Sequence, residues 1–514
     1  MRSVFARLMI AAAVLVPIDA AAVFDFEQVV DKARELAAKP YKAPPAIPRF
    51  MRELAYDQYQ DIRFDPEHSL WRESNSRFQV MFFSAGLFYT HPVAINVIDA
   101  EGVHAVPYRK SWFSFADAEL ERRVPADLGF AGFKLAFPLT DGKEHNQFLV
   151  FAGASYFRGV GRDNAWGISG RGIAVDTGLP GGEEFPSFVE FWLERPAPGA
   201  DAPRFYGLLD GESLTGAYRF TAYPGAVTRL EVEAVLFARD AVELLGIAPL
   251  TSMFFYGENT ARPSGEWRSE VHDSDGLLIH DGATDEWLWR PLLNPVALEM
   301  DFFRTGNVRG FGLLQRDTQF TNYHDLGARY ERRPSAWVAP KGDWGAGEVV
   351  LVQIPTASET NDNIVAFWTP GEKLAPGAEP LSLSYTVSFG TPDVVKTPMG
   401  RAVNSFVGDG AIIGGGNVEG AYRFIVDFAG GPLDKLKPRA AVVGDVTAAG
   451  AAEVIEHFVE YNEALRTWRL SVLARPEEGK ALDLRAFLRE DDTTLTETWT
   501  YRLPAANDVR VRSR

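Results

Sequence analysis

The sequence contains no cysteine among its 514 residues and only 8 histidines. The absence of cysteine excludes thiol catalysis, thiolate metal sites and disulfides, so the hydrophobic cores must hold the fold without cross-links. The histidines lack the His-Glu-x-x-His spacing of zinc proteases. After the N-terminal segment no apolar run reaches the length of a transmembrane helix, which predicts a soluble mature chain.

Positive charge is also scarce, because 52 Lys and Arg face 69 Asp and Glu and give a net charge of −17. Such an excess of negative charge argues against nucleic acid or an anionic membrane as a partner. It places no restriction on a neutral ligand such as a glucan. The 36 Phe, 16 Tyr and 12 Trp are the residue types that suit half-buried strands.

The first residues have the composition of a targeting segment. Arg2 and Arg7 precede an apolar stretch at 8–17, and the small residues 20–22 follow it. This pattern predicts a cleavable signal peptide at 1–22. No twin-arginine pair precedes the apolar stretch, so we expect the general secretory route.

The remaining pattern predicts an all-β protein with one N-terminal helix. Asp25 and Gln28 form a capping-box spacing, and apolar residues at helical intervals follow until Lys39-Pro40. After that, short aromatic or β-branched segments such as 187–194 and 229–237 are bounded by Gly, Asp or Asn. Many short strands with turn signals between them favour an antiparallel sandwich.

A change in the pattern of residue types predicts where one domain ends and the next begins. Between residues 391 and 415, Gly and Pro interrupt the strand pattern, and cleanly alternating strands resume beyond it. We therefore predict a large β-sandwich domain at 23–390, a linker at 391–415 and a small immunoglobulin-like β-sandwich at 416–514.

Familiar catalytic and cofactor signatures are absent. Gly167-Ile-Ser-Gly-Arg171 ends in arginine where a nucleophile elbow needs glycine, and Asp273-Ser-Asp-Gly276 lacks the later ligands of a calcium loop. We predict no cofactor and no catalytic metal. A structural ion near Asp273 and Asp275 is the lesser alternative.

Carboxylates are then the remaining candidates for chemistry. Glycoside hydrolysis needs one carboxylic acid and one carboxylate, and Asp362 follows an apolar strand within Glu359-Thr-Asn-Asp-Asn363. From the residues alone, a turn aspartate that bonds its own backbone is the favoured interpretation of Asp362 and also of Asp273. Nearby Trp and Arg side chains would suit sugar faces and hydroxyls, but many of these Trp are expected in the core and many of these Arg in surface ion pairs.

Eight longer motifs together resemble one family, the periplasmic glucan biosynthesis proteins G and D. The resemblance covers essentially the whole chain after the signal peptide. The motifs are Gly153-Ala-Ser-Tyr-Phe-Arg158, Gly182-Glu-Glu-Phe-Pro186, Phe191-Trp-Leu-Glu-Arg-Pro196, Ala248-Pro-Leu-Thr-Ser-Met-Phe254, His272-Asp-Ser-Asp-Gly276, Phe311-Gly-Leu-Leu-Gln-Arg316, Arg333-Pro-Ser-Ala-Trp337 and Glu359-Thr-Asn-Asp-Asn-Ile-Val365.

The resemblance implies a galactose-mutarotase-like N-terminal sandwich, a periplasmic location and a role in making osmoregulated periplasmic glucans. It implies activity as an inverting endo-β-1,2-glucanase or a transglycosylase, with Asp362 as general acid and Asp273 as general base. Asp275 is close enough to exchange roles with Asp273. The predicted substrate-binding residues are Glu359, Arg316, Tyr330, Arg333, Trp337 and Trp368.

Two alternatives to a glucan-cleaving enzyme or transglycosylase stay open at this point. One is a non-catalytic glucan-binding or scaffold protein that assists the inner-membrane glucan synthase. The other, a sugar epimerase, is suggested by the expected fold alone. The expected ligand is a β-linked glucan, and a homodimer is a further open possibility.

Overall fold

A computed structural model describes residues 24–505, except 141, 143 and 413. The predicted signal peptide at 1–22 lies outside the described residues. Within that part, the helices are short and no helix is long and apolar enough to cross a membrane. The α-helices are α1 (Phe26–Ala37), α2 (Arg49–Arg52), α3 (Tyr56–Gln60), α4 (Ala118–Arg123) and α5 (Phe320–Tyr323). Single turns of 3₁₀ helix cover Pro66–His68, Lys110–Trp112, Tyr330–Arg332, Pro392–Val394 and Gly431–Lys435.

The rest of the regular structure is β-strand. In the first half of the chain the strands are β1 (Arg63–Phe64), β2 (Gln79–Ser84), β3 (Ala94–Asp99), β4 (Gly102–Ala105), β5 (Phe113–Ser114), β6 (Phe130–Phe137), β7 (Asn146–Ala152), β8 (Tyr156–Gly159), β9 (Ser169–Arg171), β10 (Ile173–Val175), β11 (Ser187–Glu194), β12 (Arg204–Asp210), β13 (Leu214–Tyr223), β14 (Thr228–Ala238), β15 (Leu245–Ser252) and β16 (Phe254–Tyr256).

In the second half they are β17 (Val271–His272), β18 (Gly276–Asp281), β19 (Trp287–Pro291), β20 (Glu299–Thr305), β21 (Val308–Leu314), β22 (Ser335–Pro340), β23 (Gly347–Gln353), β24 (Ile364–Pro370), β25 (Leu381–Gly390), β26 (Arg401–Ala411), β27 (Asn417–Ala429), β28 (Val442–Ala448), β29 (Glu453–Asn462), β30 (Thr467–Arg475), β31 (Leu482–Glu490), β32 (Thr493–Thr494) and β33 (Thr498–Leu503).

Three sheets account for most of these strands. Sheet I has the order β2-β6-β7-β8-β9-β15-β24-β23-β20, with β10 also paired to β15. Sheet II has the order β28-β31-β33-β19-β18-β21-β22-β25-β14-β13-β12-β11-β3-β4, with β32 on β31, and sheet III is β26-β27-β30-β29. Most pairings are antiparallel, but β3–β11 and β19–β33 are parallel. The all-β sandwich is confirmed, whereas its galactose-mutarotase-like and immunoglobulin-like subtypes stay predictions.

Phenylalanines from sheets I and II hold the large sandwich together. Successive side chains of a strand point to opposite faces of its sheet. Phe133 and Phe151, on neighbouring strands of sheet I, both point to the face that packs on sheet II. There they meet Phe191, Phe205 and Phe220 of sheet II, with ring centroids 5.0 to 5.6 Å apart. Such aromatic pairs add about 0.5–1.5 kcal/mol each beyond the area that they bury.

The predicted N-terminal helix is confirmed as α1. The Asp25 side chain accepts a hydrogen bond from the amide of Gln28 and caps the first turn. The buried face of the helix, which includes Val30 and Ala33, packs on sheet II against Trp192. The helix therefore covers the outer face of the larger sheet.

The C-terminal strands β28, β31 and β33 continue sheet II, whereas β26, β27, β29 and β30 form sheet III. Strand β33 lies beside β19 with Trp289 opposite Trp499, and sheet III packs over this end. Phe424 of sheet III contacts Trp499 within one core. Residues 391–415, predicted as a linker, include β26, which pairs with β27. The predicted domain boundaries stay a prediction.

Candidate functional site

Neighbouring strands of sheet I bring two of the sequence motifs together. Strands β8, β9, β15 and β24 lie side by side, and Ser252 at the end of β15 pairs with Ile364 at the start of β24. Asp362 immediately precedes β24, and the amide of Asp273 donates to the carbonyl of Met253, just after β15. The two carboxylates proposed for catalysis thus arise from adjacent segments. We call the region around them the carboxylate site.

Asp273 is a buried carboxylate with one unused oxygen. Its Oδ1 atom has no hydrogen-bond donor within the described part of the chain, although Nε of Arg333 lies 3.4 Å away. Burial raises the pKa of Asp273 to about 6, and Arg333 opposes this rise while the charge of Asp362 adds to it. A carboxylate with this pKa is ionised at neutral pH and can accept a proton.

Asp275 uses its carboxylate to hold the backbone. One oxygen, Oδ2, accepts hydrogen bonds from the amides of Arg316 and Asp317, the latter at 2.8 Å. The other oxygen lies 3.4 Å from Nδ1 of His272. Burial also raises the pKa of Asp275 to about 6. The Asp275 carboxylate therefore accepts two backbone hydrogen bonds, whereas no described residue donates a hydrogen bond to Oδ1 of Asp273.

His272 is satisfied inside the protein. Its Nδ1 atom lies 3.0 Å from Oε1 of Gln315 and its Nε2 atom 2.9 Å from Oε2 of Glu270. Burial lowers the pKa of this histidine, but the hydrogen bond to Glu270 and the charge of Asp275 outweigh burial and raise the pKa to about 9. Facing two acceptors, the imidazolium fixes the backbone from which Asp273 projects.

Asp362 is the more exposed of the two carboxylates, with 36% of its side chain accessible. Its Oδ2 atom lies 3.6 Å from Nη2 of Arg158, whose Nε donates to the Ser169 hydroxyl at 2.8 Å. The neighbouring Asn363 points inward and bonds the backbone of Phe254 through both ends of its amide. The loop is therefore anchored by Asn363, while Asp362 faces outward.

Arg158 is the site residue that sequence reasoning missed. It lies within a motif noted above, but no role was assigned to it. The alternation of side chains along β8 could have indicated its position. Phe157 is buried in the core, so its neighbours Tyr156 and Arg158 must point to the opposite face of the sheet. Tyr156 also lies close enough to Asp362 for that charge to contribute to a raised pKa of its phenol, although burial is the larger cause.

Glu359 and Tyr330, both predicted to bind substrate, are joined in the structure. The Tyr330 hydroxyl donates to Oε2 of Glu359 at 3.1 Å, and Nη1 of Arg268 donates to the same oxygen at 2.6 Å. Burial and the charges of Glu359 and Asp273 raise the pKa of Tyr330 well above its usual range. Tyr330 therefore bonds Glu359 and is near enough to Asp273 for the charge of that carboxylate to affect the pKa of its phenol.

The two tryptophans predicted as sugar platforms are core residues. Trp368 is 1% exposed and packs against Trp344 within the large sandwich, and Trp337 is 6% exposed and stacks on Trp287 in the second core. Their indole faces are covered by protein. These positions give no support to a sugar contact, which stays a prediction, because Trp recurring in strands does not reveal which face of the sheet it occupies.

Arg316 binds protein groups through its terminal nitrogens. Nη1 and Nη2 contact the two carboxylate oxygens of Glu497 at 2.5 and 3.0 Å, and Nη1 also donates to the carbonyl of Ala402. Its guanidinium lies 3.5 Å from the centre of the Trp289 ring. Arg316 therefore joins the large sandwich to the C-terminal strands, and its prediction as a glucan ligand gains no support from these contacts.

Gly167 allows Arg333 and Asp273 to lie close together. A Cβ atom at this position would be 3.0 Å from Cδ of Arg333 and 3.4 Å from Oδ2 of Asp273. We expect Gly167→Ala to displace the Arg333 side chain by a few tenths of an ångström and to lower kcat on a glucan several-fold, by roughly 3–10-fold. Initial rates and the melting temperature of the variant test this expectation.

The matched control is Gly181→Ala, because no atom lies within 4 Å of a Cβ at that position. The control should keep both its rate and its melting temperature. Equal rates for the two variants would contradict the close contact at Gly167. Within the residues that the structure describes, no group of three His, Asp or Glu side chains is arranged to hold a metal ion.

Comparison with known proteins places these features in one family. Residues 24–503 match the family described as "Periplasmic glucan biosynthesis protein, MdoG". The chain is 43% identical over 508 residues to Glucans biosynthesis protein G of Ralstonia nicotianae, covering 97% of this chain and 99% of that protein. It is 42% identical over 489 residues to the protein of the same name from Dickeya dadantii, covering 94% and 93%. The resemblance found in the motifs is confirmed, and the chain belongs to the MdoG family of periplasmic glucan biosynthesis proteins.

Proposed function

We propose that this protein processes the β-1,2-linked backbone of an osmoregulated periplasmic glucan, as an inverting endo-glucanase or a transglycosylase. One observation carries the proposal. Asp273 is a buried carboxylate with an oxygen that no described residue donates to, and Asp362 is near enough for its charge to affect the pKa of Asp273. Two carboxylates of unequal burial in one site are what acid–base hydrolysis of a glycoside requires.

In the proposed reaction, Asp362 donates its proton to the glycosidic oxygen as the bond to the anomeric carbon breaks. A water molecule, or a sugar hydroxyl in transglycosylation, attacks the opposite face of that carbon, and its proton passes to Asp273 directly or through a substrate hydroxyl. Inverting enzymes hold their carboxylates roughly 6.5–9.5 Å apart to leave room for the nucleophile. Arg333, 3.4 Å from Asp273, supports the ionised form of the base.

The deciding experiment incubates the protein with linear β-1,2-glucan and follows reducing ends and product masses together. New reducing ends identify hydrolysis, and cyclic products that form without new reducing ends identify transglycosylation. An unchanged substrate that still binds the protein would contradict both activities and support a non-catalytic partner of the membrane glucan synthase.

The pH dependence of the reaction should report the ionisation of Asp273. Its pKa is raised to about 6, and a general base must be ionised, so kcat/KM should fall about tenfold per pH unit below pH 6. Initial rates across the acidic range at constant ionic strength measure this limb.

A pair of neighbouring arginines provides the control. Arg333 lowers the pKa of Asp273, so Arg333→Gln should move the acidic limb to higher pH. Arg332, which donates to the carbonyl of Asp163, should leave the limb in place when replaced by glutamine. If the fall of kcat/KM at acidic pH has its midpoint near the ordinary aspartate pKa of about 3.9, a buried base is contradicted.

A further inference from the structure

Beside the carboxylate site lies a pocket of about 480 Å³ with an unusual excess of arginine. We call it the arginine pocket. It lies where the 162–164 and 331–333 segments meet residues 391–403. Its arginines are Arg162, Arg316, Arg332, Arg333 and Arg401, and its carboxylates are Asp163, Glu331 and Asp393. Five cations against three anions is the opposite of the whole chain, whose net charge is −17.

Three of the five arginines have no ion pair with a carboxylate among the described residues, whereas Arg316 is paired with Glu497 and Arg333 with Asp273. Arg162 donates through Nε to the carbonyl of Leu139, and Arg332 donates to the carbonyl of Asp163. Both acceptors are uncharged. Among the residues described, the Arg401 side chain has no hydrogen bond or ion pair. Of the pocket carboxylates, Glu331 accepts instead from Arg329, which is not part of the lining.

Two donors of the pocket are also buried without acceptors. These are Nε of Arg316 and Nε of Arg333, neither of which has a hydrogen-bond partner within the described residues. Two acceptors of the lining, Oδ1 of Asn164 and Oε2 of Glu331, are buried without a partner as well. A buried N–H group without an acceptor is unfavourable, and in native proteins such groups usually have a partner or bind a ligand. An oxyanion in the pocket would neutralise the charge of the arginines that have no carboxylate partner.

We infer that the arginine pocket binds an anionic group, a phosphate or a carboxylate, beside the site where the glucan is processed. The planar guanidinium group matches the paired oxygens of both anions and remains charged at every physiological pH. Arg333 lies in the pocket and also 3.4 Å from Asp273, so the anion would sit next to the reacting part of the sugar chain. It is either a substituent carried by the glucan or a free anion.

Binding of inorganic phosphate to the full-length mature protein tests the pocket without any assay of catalysis. Titration calorimetry at low salt should detect phosphate binding that weakens as sodium chloride is added. The double substitution Arg162→Gln/Arg401→Gln should lower phosphate affinity about tenfold or more. The control is Arg304→Gln on the edge strand β20, which removes a cation whose side chain is 92% exposed. The control should bind phosphate as the unsubstituted protein does.

A second titration distinguishes the source of the anion. Linear β-1,2-glucan oxidised at its primary hydroxyls carries carboxylates, and its affinity is compared with that of the neutral glucan. Tighter, arginine-dependent binding of the oxidised chain identifies a substituent of the glucan, and arginine-dependent binding of phosphate alone identifies a free anion. The inference is overturned if the binding of neither anion depends on the two arginines or on salt. It is also overturned if the double variant loses affinity for the neutral glucan to the same extent. Failure of the proposed catalysis would leave these binding results unchanged.

Discussion

Replacing Asp362 by asparagine should reduce kcat on β-1,2-glucan by about 10²–10⁴-fold. Asparagine has the same shape as aspartate but no acidic proton to give to the leaving oxygen. The substitution removes one contact, the Arg158 guanidinium at 3.6 Å, from a side chain that is 36% exposed. Surface changes of this kind alter stability by roughly 0.5 kcal/mol or less. A large loss of rate with an unchanged melting temperature is therefore the expected result.

A substrate with an acidic leaving group separates the two catalytic roles. An aryl glycoside whose phenol departs without protonation should restore much of the rate of Asp362→Asn, because the missing proton is no longer needed. The same substrate should leave Asp273→Asn slow, since activation of the nucleophile is still required. Combining both substitutions should cost little more than the worse single one, as for groups that act as a unit.

The matched control for both variants is Asp201→Asn. Asp201 has a side chain that is 86% exposed and lies 3.3 Å from Arg77. It should keep the full rate. If Asp362→Asn keeps it as well, the general acid lies elsewhere. If rescue by the aryl substrate occurs in Asp273→Asn instead, the two roles are exchanged.

Much of the fold could be predicted from local sequence. The helix α1 follows from the Asp25–Gln28 spacing and the apolar residues after it, and strands such as β11 and β14 follow from alternation. These signals are local because a helix turn or a strand face is set by nearby residues. The continuation of sheet II into the C-terminal strands is not local. It depends on β33 pairing in parallel with β19, some 200 residues earlier in the chain.

The site was predictable only in part for the same reason. Motif resemblance made Asp362 and Asp273 the candidates, but the pairing of Asp362 with Arg158 depends on β8 and β24 being held in one sheet by β9 and β15. The local sequence also could not show whether Trp368 is an exposed surface for sugar stacking or a core residue. Its strand is buried on both faces, so that alternation carries no information about exposure.

Arg316→Met should destabilise the protein by about 3–5 kcal/mol, because it leaves the Glu497 carboxylate buried without its counter-ion. The Glu497 side chain is 0% exposed and that of Arg316 is 5% exposed, so neither charge can turn to water. The same carboxylate also accepts from the amide of Ala402, at the start of β26. Loss of the pair should therefore loosen the contact between the large sandwich and the C-terminal strands. Chemical denaturation followed by tryptophan fluorescence measures the loss.

The double variant Arg316→Met/Glu497→Gln distinguishes an unpaired buried charge from lost packing. Removing both charges should recover at least half of the stability lost by Arg316→Met alone, since no ion is then left without a partner. The control is Arg304→Met, which breaks an exposed pair with Glu348 and should cost less than about 1 kcal/mol. The opposite pattern, an unchanged stability of Arg316→Met with a KM for glucan raised many-fold, would assign Arg316 to the substrate. The bidentate contact with Glu497 predicts that the stability falls and that the KM of the protein that remains folded does not change.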